Sequence, residues 1–154
     1  MELKVAQNVV INLPATEIFA YIADFENAVD WSSFVIDVRK TSPGTMQVGA
    51  TLRATSRFLD RRVESTYEVV EYEPGHYITF KSISGVAPWV FYYLFESLEE
   101  GKTRVLQEAV IHLKGELLGL PELAAASAIS RLLDHDLLML KDILEARASI
   151  QQGS

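Results

Sequence analysis

Residues 9–31 read VVINLPATEIFAYIADFENAVDW. An apolar, β-branched run ends at Pro14, which has no backbone N–H to offer a sheet. The whole segment from Glu2 to Leu13 is expected to be that strand. Thr16 is a candidate N-cap for a helix over Glu17 to Asp24, with Pro14-Ala15 as an alternative start. Ile18, Phe19 and Ile22 fall at i, i+1 and i+4, a one-sided apolar stripe. Phe25 to Trp31 reads as a second short helix. Strand, stop, helix, helix is an unusual opening, and it restricts the architectures the rest of the chain can complete.

Outward from it, Phe34 to Leu113 reads as strand after strand. Breaks fall at Ser42-Pro43-Gly44, Asp60-Arg61, Pro74-Gly75, Ser84-Gly85 and Glu100-Gly101. Short connections between consecutive strands favour an antiparallel meander over a parallel sheet. After Lys114 to Pro121 one long helix is expected, from about Glu122 to Ala148. The chain therefore reads as a single α+β domain over residues 1–148, with 149–154 as a frayed tail.

Composition bounds the function. The 154 residues include no cysteine and three scattered histidines, so no metal site or thiol nucleophile is expected. Fourteen Lys plus Arg stand against 21 Asp plus Glu, a net charge of −7, which argues against a nucleic-acid partner. The N-terminus carries no basic-then-apolar leader, and no segment approaches the ~20 apolar residues of a membrane span. A cytoplasmic protein, monomer or homodimer, is the expectation. Arg39, Lys40, Arg53, Arg57, Arg61 and Arg62 form a local basic cluster. With Asp60-Arg61 as a two-residue hairpin loop, Arg57 faces Glu64 and Arg53 faces Glu68, so the cluster is expected to be an outer sheet face with acidic partners. The opposite face then carries Ala54, Ser56 and Phe58 against Val63, Ser65 and Tyr67.

The order of elements resembles the START-like, or SRPBCC, superfamily, whose fold is the helix grip. Within it the chain is similar to the polyketide cyclase/dehydrase branch. The matching residues are Leu13-Pro14-Ala15 with Phe19, Tyr21, Ile22, Asp24, Asn27 and Trp31; Val48-Gly49; VVEYEP from Val69 to Pro74; Gly101 to Val105; and Asp136-Leu137, Leu140-Lys141 and Leu144-Glu145. The resemblance implies a seven-stranded curved antiparallel sheet with two short helices after the first strand. It also implies one long C-terminal helix packed across the sheet, with a hydrophobic cavity beneath it. The superfamily holds binders, transporters, receptors, co-chaperones and cyclases, so the fold alone selects no activity.

Side-chain alternation indicates what such a cavity would contain. Trp89, Phe91, Tyr93 and Phe95 share one strand face, and Ile78 and Phe80 share the matching face of the strand before. Trp31 and Phe34 are expected near the mouth, and Tyr67 offers a second hydroxyl. On the long helix, Ala125, Ile129, Leu132, Leu133, Leu140, Ile143 and Leu144 form one apolar face, and Asp136 lies near its middle. A carboxylate there must reach water, find donors or take up a proton. Leu138 falls on the polar side.

Glu108 and His112 lie four residues apart on one strand, hence on one face. With Tyr93 they would form a proton-transfer set. A two- or four-residue loop at Glu100-Gly101 sets Glu108 opposite Tyr93, inside. A three-residue loop sets Ala109 there, with Val105, Gln107, Ile111 and Leu113 inside. The second buries no charge and is favoured, since a one-residue slip flips every side chain.

The expected function is binding of a small hydrophobic molecule, such as a lipid, polyketide, quinone or aromatic metabolite, without a cofactor. Its expected contacts are Trp31, Phe34, Tyr67, Phe80, Trp89, Phe91, Tyr93, Phe95, Ile129, Leu133, Asp136 and Leu140. The alternative is a cyclase or dehydratase using Asp136, Glu108, His112 or Tyr93 in the same cavity. A further alternative is an interaction module of co-chaperone or toxin-regulator type, with Leu138 as its one hint.

Overall fold

The computed structural model describes residues 2–58, 61–85, 88–112 and 120–152. Strand β1 covers Glu2–Ile11, helix α1 Ala15–Ala23, and helix α2 Ala28–Trp31 after a 3-10 turn over Phe25–Asn27. Then come β2 (Val35–Lys40), β3 (Thr51–Phe58), β4 (Arg61–Glu73), β5 (Tyr77–Ser84), β6 (Trp89–Glu99) and β7 (Lys102–His112). Helix α3, Glu122–Gln152, runs past the Ala148 boundary read from the sequence and takes in residues assigned there to a frayed tail.

All seven strands form one antiparallel sheet in the order β1-β7-β6-β5-β4-β3-β2. The first two strands in the chain thus become opposite edges. Helices α1 and α2 carry the chain from one edge to the other, and the meander from β2 to β7 returns it beside β1. That path is the structural reason for the two short helices after the first strand.

Helix α1 starts at Ala15 with Pro14 as its N-cap, the alternative start read from the sequence, and Thr16 is not the cap. The Pro14 carbonyl accepts the N–H groups of Glu17 and Ile18 at 3.1 and 3.3 Å, and no side chain caps the turn. Thr16 sits inside the first turn, too late to cap the N–H groups that need it. The apolar stripe is as expected, with Ile18, Phe19 and Ile22 buried, and Tyr21 is buried as well.

Two registers differ from expectation, with opposite consequences. In the β3–β4 pair Arg57 faces Arg62 and Arg53 faces Thr66. The shift relative to the expected pairing is two residues, an even number, so each side chain keeps its face. Arg53 still finds an acidic partner, now diagonally, with Nη2 2.8 Å from Glu64 Oε2. Asp60 and Leu113, which entered the sequence reading, lie outside the described residues.

The β6–β7 turn is a two-residue one, with Glu99 opposite Lys102 and Gly101 at φ 73°. A regular ladder from that turn would set Glu108 opposite Tyr93. The ladder is not regular: Ser97 pairs with Thr103, which leaves Leu98 as an extra residue on β6. This bulge shifts the pairing by one, so Tyr93 faces Gln107 and Phe91 faces Ala109. The favoured face is realised, by a bulge instead of a longer loop.

Helix α3 lies across the concave face and is tied to β1. Lys141 Nζ donates to the Val10 carbonyl at 2.6 Å and to Glu145 at 2.9 Å, and Glu145 accepts the Asn12 N–H at 2.8 Å. Two buried clusters result. The larger joins α1 residues Ile18 and Ile22 to Val69, Ile78, Phe80 and Phe95 of the sheet and Leu137, Leu140 and Leu144 of α3. The smaller joins Leu3, Ala109 and Ile111 to Ala125, Ile129 and Leu133. Leu137 was missing from the helix face read in the sequence, and Leu138 is exposed.

Candidate functional site

A cavity of about 100 Å³ opens between α2, α3 and the concave face of the sheet. It draws lining from both clusters: Trp31 and Tyr93 from the larger, Leu133 from the smaller. Alternation along the strands places the rest. Trp89, Phe91 and Tyr93 come from β6, Val63, Ser65 and Tyr67 from β4, and Ala54 and Ser56 from β3. The hairpin faces therefore survive the register shift, as an even slip requires. Phe25, Ala28, Ser32, Phe34 and Val35 close the side next to α2.

The aromatic walls are ordered by ring contacts. Trp89 stacks on Phe91 with centroids 5.4 Å apart and planes at 17°, and Phe91 tilts toward Tyr67 at 6.1 Å. Trp31 stands edge-on to Tyr93 at 6.4 Å. Such T-shaped and offset pairs favour rigid, flat walls.

Besides Ser32, Ser56, Ser65 and Gln107, three titratable groups interrupt the apolar lining. Tyr93 is buried, and its hydroxyl accepts a hydrogen bond from Gln107 Nε2 at 2.8 Å. Burial pushes the Tyr93 phenol up in pKa, outweighing the Gln107 bond, and the Asp136 charge raises it further, so the group is a neutral donor. Burial pushes Tyr67 up to about 12, against a lowering contribution from Ser65.

Asp136 is the third group and is only 1% exposed. Its carboxylate accepts the Ser33 N–H at 2.9 Å, the Ser33 hydroxyl, and the Ser32 hydroxyl at 3.5 Å. The Asp136 pKa is raised by burial, and the bonds from Ser33 and Ser32 and the neighbouring His135 act in the opposite direction. The buried charge foreseen on the helix face has thus found donors, and they come from the link between α2 and β2. The clasp ties that link to α3 across the cavity wall.

Of the candidate contacts, Trp31, Phe34, Tyr67, Trp89, Phe91, Tyr93, Leu133 and Asp136 line the cavity. Phe80, Phe95, Ile129 and Leu140 do not; they are core. Phe80 packs against Phe25 at 4.2 Å between ring centroids, and Phe95 against Phe19 at 5.4 Å. Ile129 and Leu140 are fully buried in the two clusters. Inward alternation marks a side chain as buried, but does not say whether a neighbour already fills the space in front of it. Gln107 was read as an inward residue without a role; its pairing with Tyr93 is a contact that strand alternation cannot show.

Glu108 and His112 project from the convex face. Glu108 pairs with Lys4 at 3.8 Å, and His112 approaches Glu2 at 3.9 Å. They stand apart from Tyr93 and Asp136, so the proton-transfer set that combined them is not assembled. Glu108→Gln and His112→Ala are expected to leave ligand affinity unchanged within about twofold and stability within about 0.5 kcal/mol, as for exposed pairs generally. Calorimetric titration and urea melts of the two variants check this.

Among the described residues no group of three His, Cys, Asp or Glu side chains is placed to hold a metal ion. Among the same residues no helix is long and apolar enough to cross a membrane.

Comparison with known proteins places the architecture. The family model described as "Polyketide cyclase / dehydrase and lipid transport" matches residues 2–145. No curated protein sequence matches the chain. Among solved structures, a START superfamily protein from Mycobacterium smegmatis superposes with a TM-score of 0.80 at 15% identity, covering 94% of this chain and 98% of that one. The Zhui aromatase/cyclase from a Streptomyces species gives 0.78 at 13% identity, covering 96% of each chain. A protein from Thermus thermophilus gives 0.79 at 16%, covering 94% of this chain and 98% of that one. At these identities the likeness is one of fold.

Proposed function

Because the chain belongs to the polyketide cyclase / dehydrase and lipid transport family, we propose that it binds a small hydrophobic molecule in the cavity between the sheet and α3. The observation that carries this reading is the aromatic-lined cavity with two neutral phenols, Tyr93 and Tyr67, at its wall. A core built only for stability would close such a space, because unfilled volume forfeits packing contacts. The site instead keeps about 100 Å³ open beside two tyrosines and two tryptophans. Apolar walls supply affinity, at roughly 25 cal/mol per Å² of ligand surface buried before ordering costs. Tyr93 supplies orientation.

The size bears on the ligand. Pockets for drug-sized molecules run to ~300–1,000 Å³, whereas a ~150 Å³ apolar cavity takes benzene. A space of about 100 Å³ suits one ring or a short branched chain at a time. A larger ligand would need Trp31 or Phe34, on the α2 side, to swing away.

Among the described lining residues, the cyclase-type alternative retains Asp136, Tyr93 and Tyr67 as acid–base groups. Ser32 and Ser33 already donate to the Asp136 carboxylate, which favours a fixing role over a proton-transfer one. The test is a thermal-shift and native mass-spectrometry screen of the purified protein against single-ring and short-chain apolar compounds. Stabilisation by at least one class, or a retained molecule, is the expected result. A protein that retains nothing and shifts with none of them would sink the reading.

A further inference from the structure

The cavity's polar groups are unevenly supplied. Among the described lining residues there is no Lys, Arg or His, and one acidic group, Asp136. The donors best suited to an anion, the Ser33 N–H and the two serine hydroxyls, are already directed at Asp136. Other donors keep hydrogen-bonding capacity, the Tyr67 hydroxyl among them, since its oxygen accepts from Ser65. Trp31 Nε1 is fully buried and makes no hydrogen bond. The Tyr93 oxygen accepts from Gln107, which leaves its own hydrogen free. Gln107 Oε1 is also buried and unpaired. Arg61, exposed at the end of β4, is not among the lining residues.

We propose that this site selects uncharged ligands: an apolar ring or chain that carries a hydrogen-bond-accepting oxygen, such as a ketone or aldehyde carbonyl, and no carboxylate or phosphate. The proposal rests on the cavity reading above and narrows it. A buried donor without a partner is costly, and an entering oxygen relieves that cost at Tyr93. A carboxylate offers the same oxygen but brings a charge into an apolar wall. It would meet no cation there, and the carboxylate of Asp136 beside it would repel it. Fatty acids and phospholipids are then poor cargo, while neutral carbonyl compounds and phenols are good cargo.

Three probes of one shape test this by NMR-monitored titration: acetophenone, ethylbenzene and benzoate. Acetophenone should bind at least about tenfold more tightly than benzoate, the size expected when an unpaired charge is desolvated. It should also bind more tightly than ethylbenzene, and Tyr93→Phe should erase that advantage. Asp136→Asn, which keeps an acceptor for Ser33, should narrow the gap between benzoate and acetophenone. Benzoate binding as tightly as acetophenone would overturn the proposal while ethylbenzene binding left the cavity reading intact. Failure of all three probes to bind would remove both.

Discussion

Replacing Phe80 with alanine should lower stability by about 3–5 kcal/mol, the usual cost of truncating a fully buried phenylalanine. Phe80 has no exposed surface. Its ring lies 4.2 Å from Phe25 and 6.2 Å, edge-on, from Tyr93, centroid to centroid. Both neighbours line the cavity while Phe80 stands behind them. Truncation therefore loses apolar burial, two aromatic contacts and the support of a cavity wall together. For a domain of this size the melting temperature should fall on the order of 10 °C. The new void adjoins the existing one, so Phe80→Ala should also admit a bulkier ring than the parent does. Urea denaturation measures the first effect and a ligand-size series the second. A loss below about 1 kcal/mol would mean that the sheet collapses onto the gap, and that the packing behind the cavity is softer than argued.

Ser33→Ala should cost about 2 kcal/mol at neutral pH, the scale of a hydrogen bond to a charged group. Ser33 itself is exposed, but its hydroxyl serves a carboxylate that is nearly inaccessible to water. The cost should depend on pH, and its sign follows from the direction of the Asp136 shift. Burial raises the folded-state pKa above the ordinary carboxylate value. The folded protein then holds more protons than the unfolded chain across the interval between the two pKa values. Stability contributed by protonated Asp136 is fully present below the unfolded value, about 3.9. It is lost as pH rises through the folded value. Ser33→Ala removes a donor that favours the charged form, so it pushes the folded pKa up further. The deficit against the parent should be largest above that pKa and shrink as pH falls through it. In Asp136→Asn this component should vanish. Urea melts from acid to neutral pH give the answer, and a deficit that grows on acidification would reverse the assignment. The same variant loosens the tie between α3 and the α2–β2 link, so ligand exchange should speed up.

The strands were legible because their signals are local. Alternation put Trp89, Phe91, Tyr93 and Phe95 on one face, and all four are turned inward. Turn residues at Pro74-Gly75 and Glu100-Gly101 marked the hairpins. The face of β7 was harder. It depended on whether an extra residue sat in the turn or in the strand, and Leu98 makes the bulge without any glycine or proline to announce it. Asp136 was conspicuous as a charge on an apolar helix face. Its partners Ser32 and Ser33 lie more than a hundred positions earlier, and nothing in their neighbourhood points to a carboxylate. The four candidate contacts that proved to be core, Phe80, Phe95, Ile129 and Leu140, share a cause. Alternation and helical periodicity report which way a side chain points, while the void depends on what faces it from another element.

Residues 9–31 and the pattern that follows them determine the container. Backbone preferences and hydrophobic periods act over a few residues, so a strand, a proline stop, two short helices, six strands and a long helix can be read in order. The family's fold accommodates that order. The identity of the wall groups was decided at long range. The Leu98 bulge turned Gln107 toward Tyr93 and sent Glu108 and His112 to the convex side. The packing of α3 carried Asp136 onto the serines after α2. Hydrogen bonds and cavities depend on distances between segments far apart in the chain, and those distances are set only when the sheet closes on its helix.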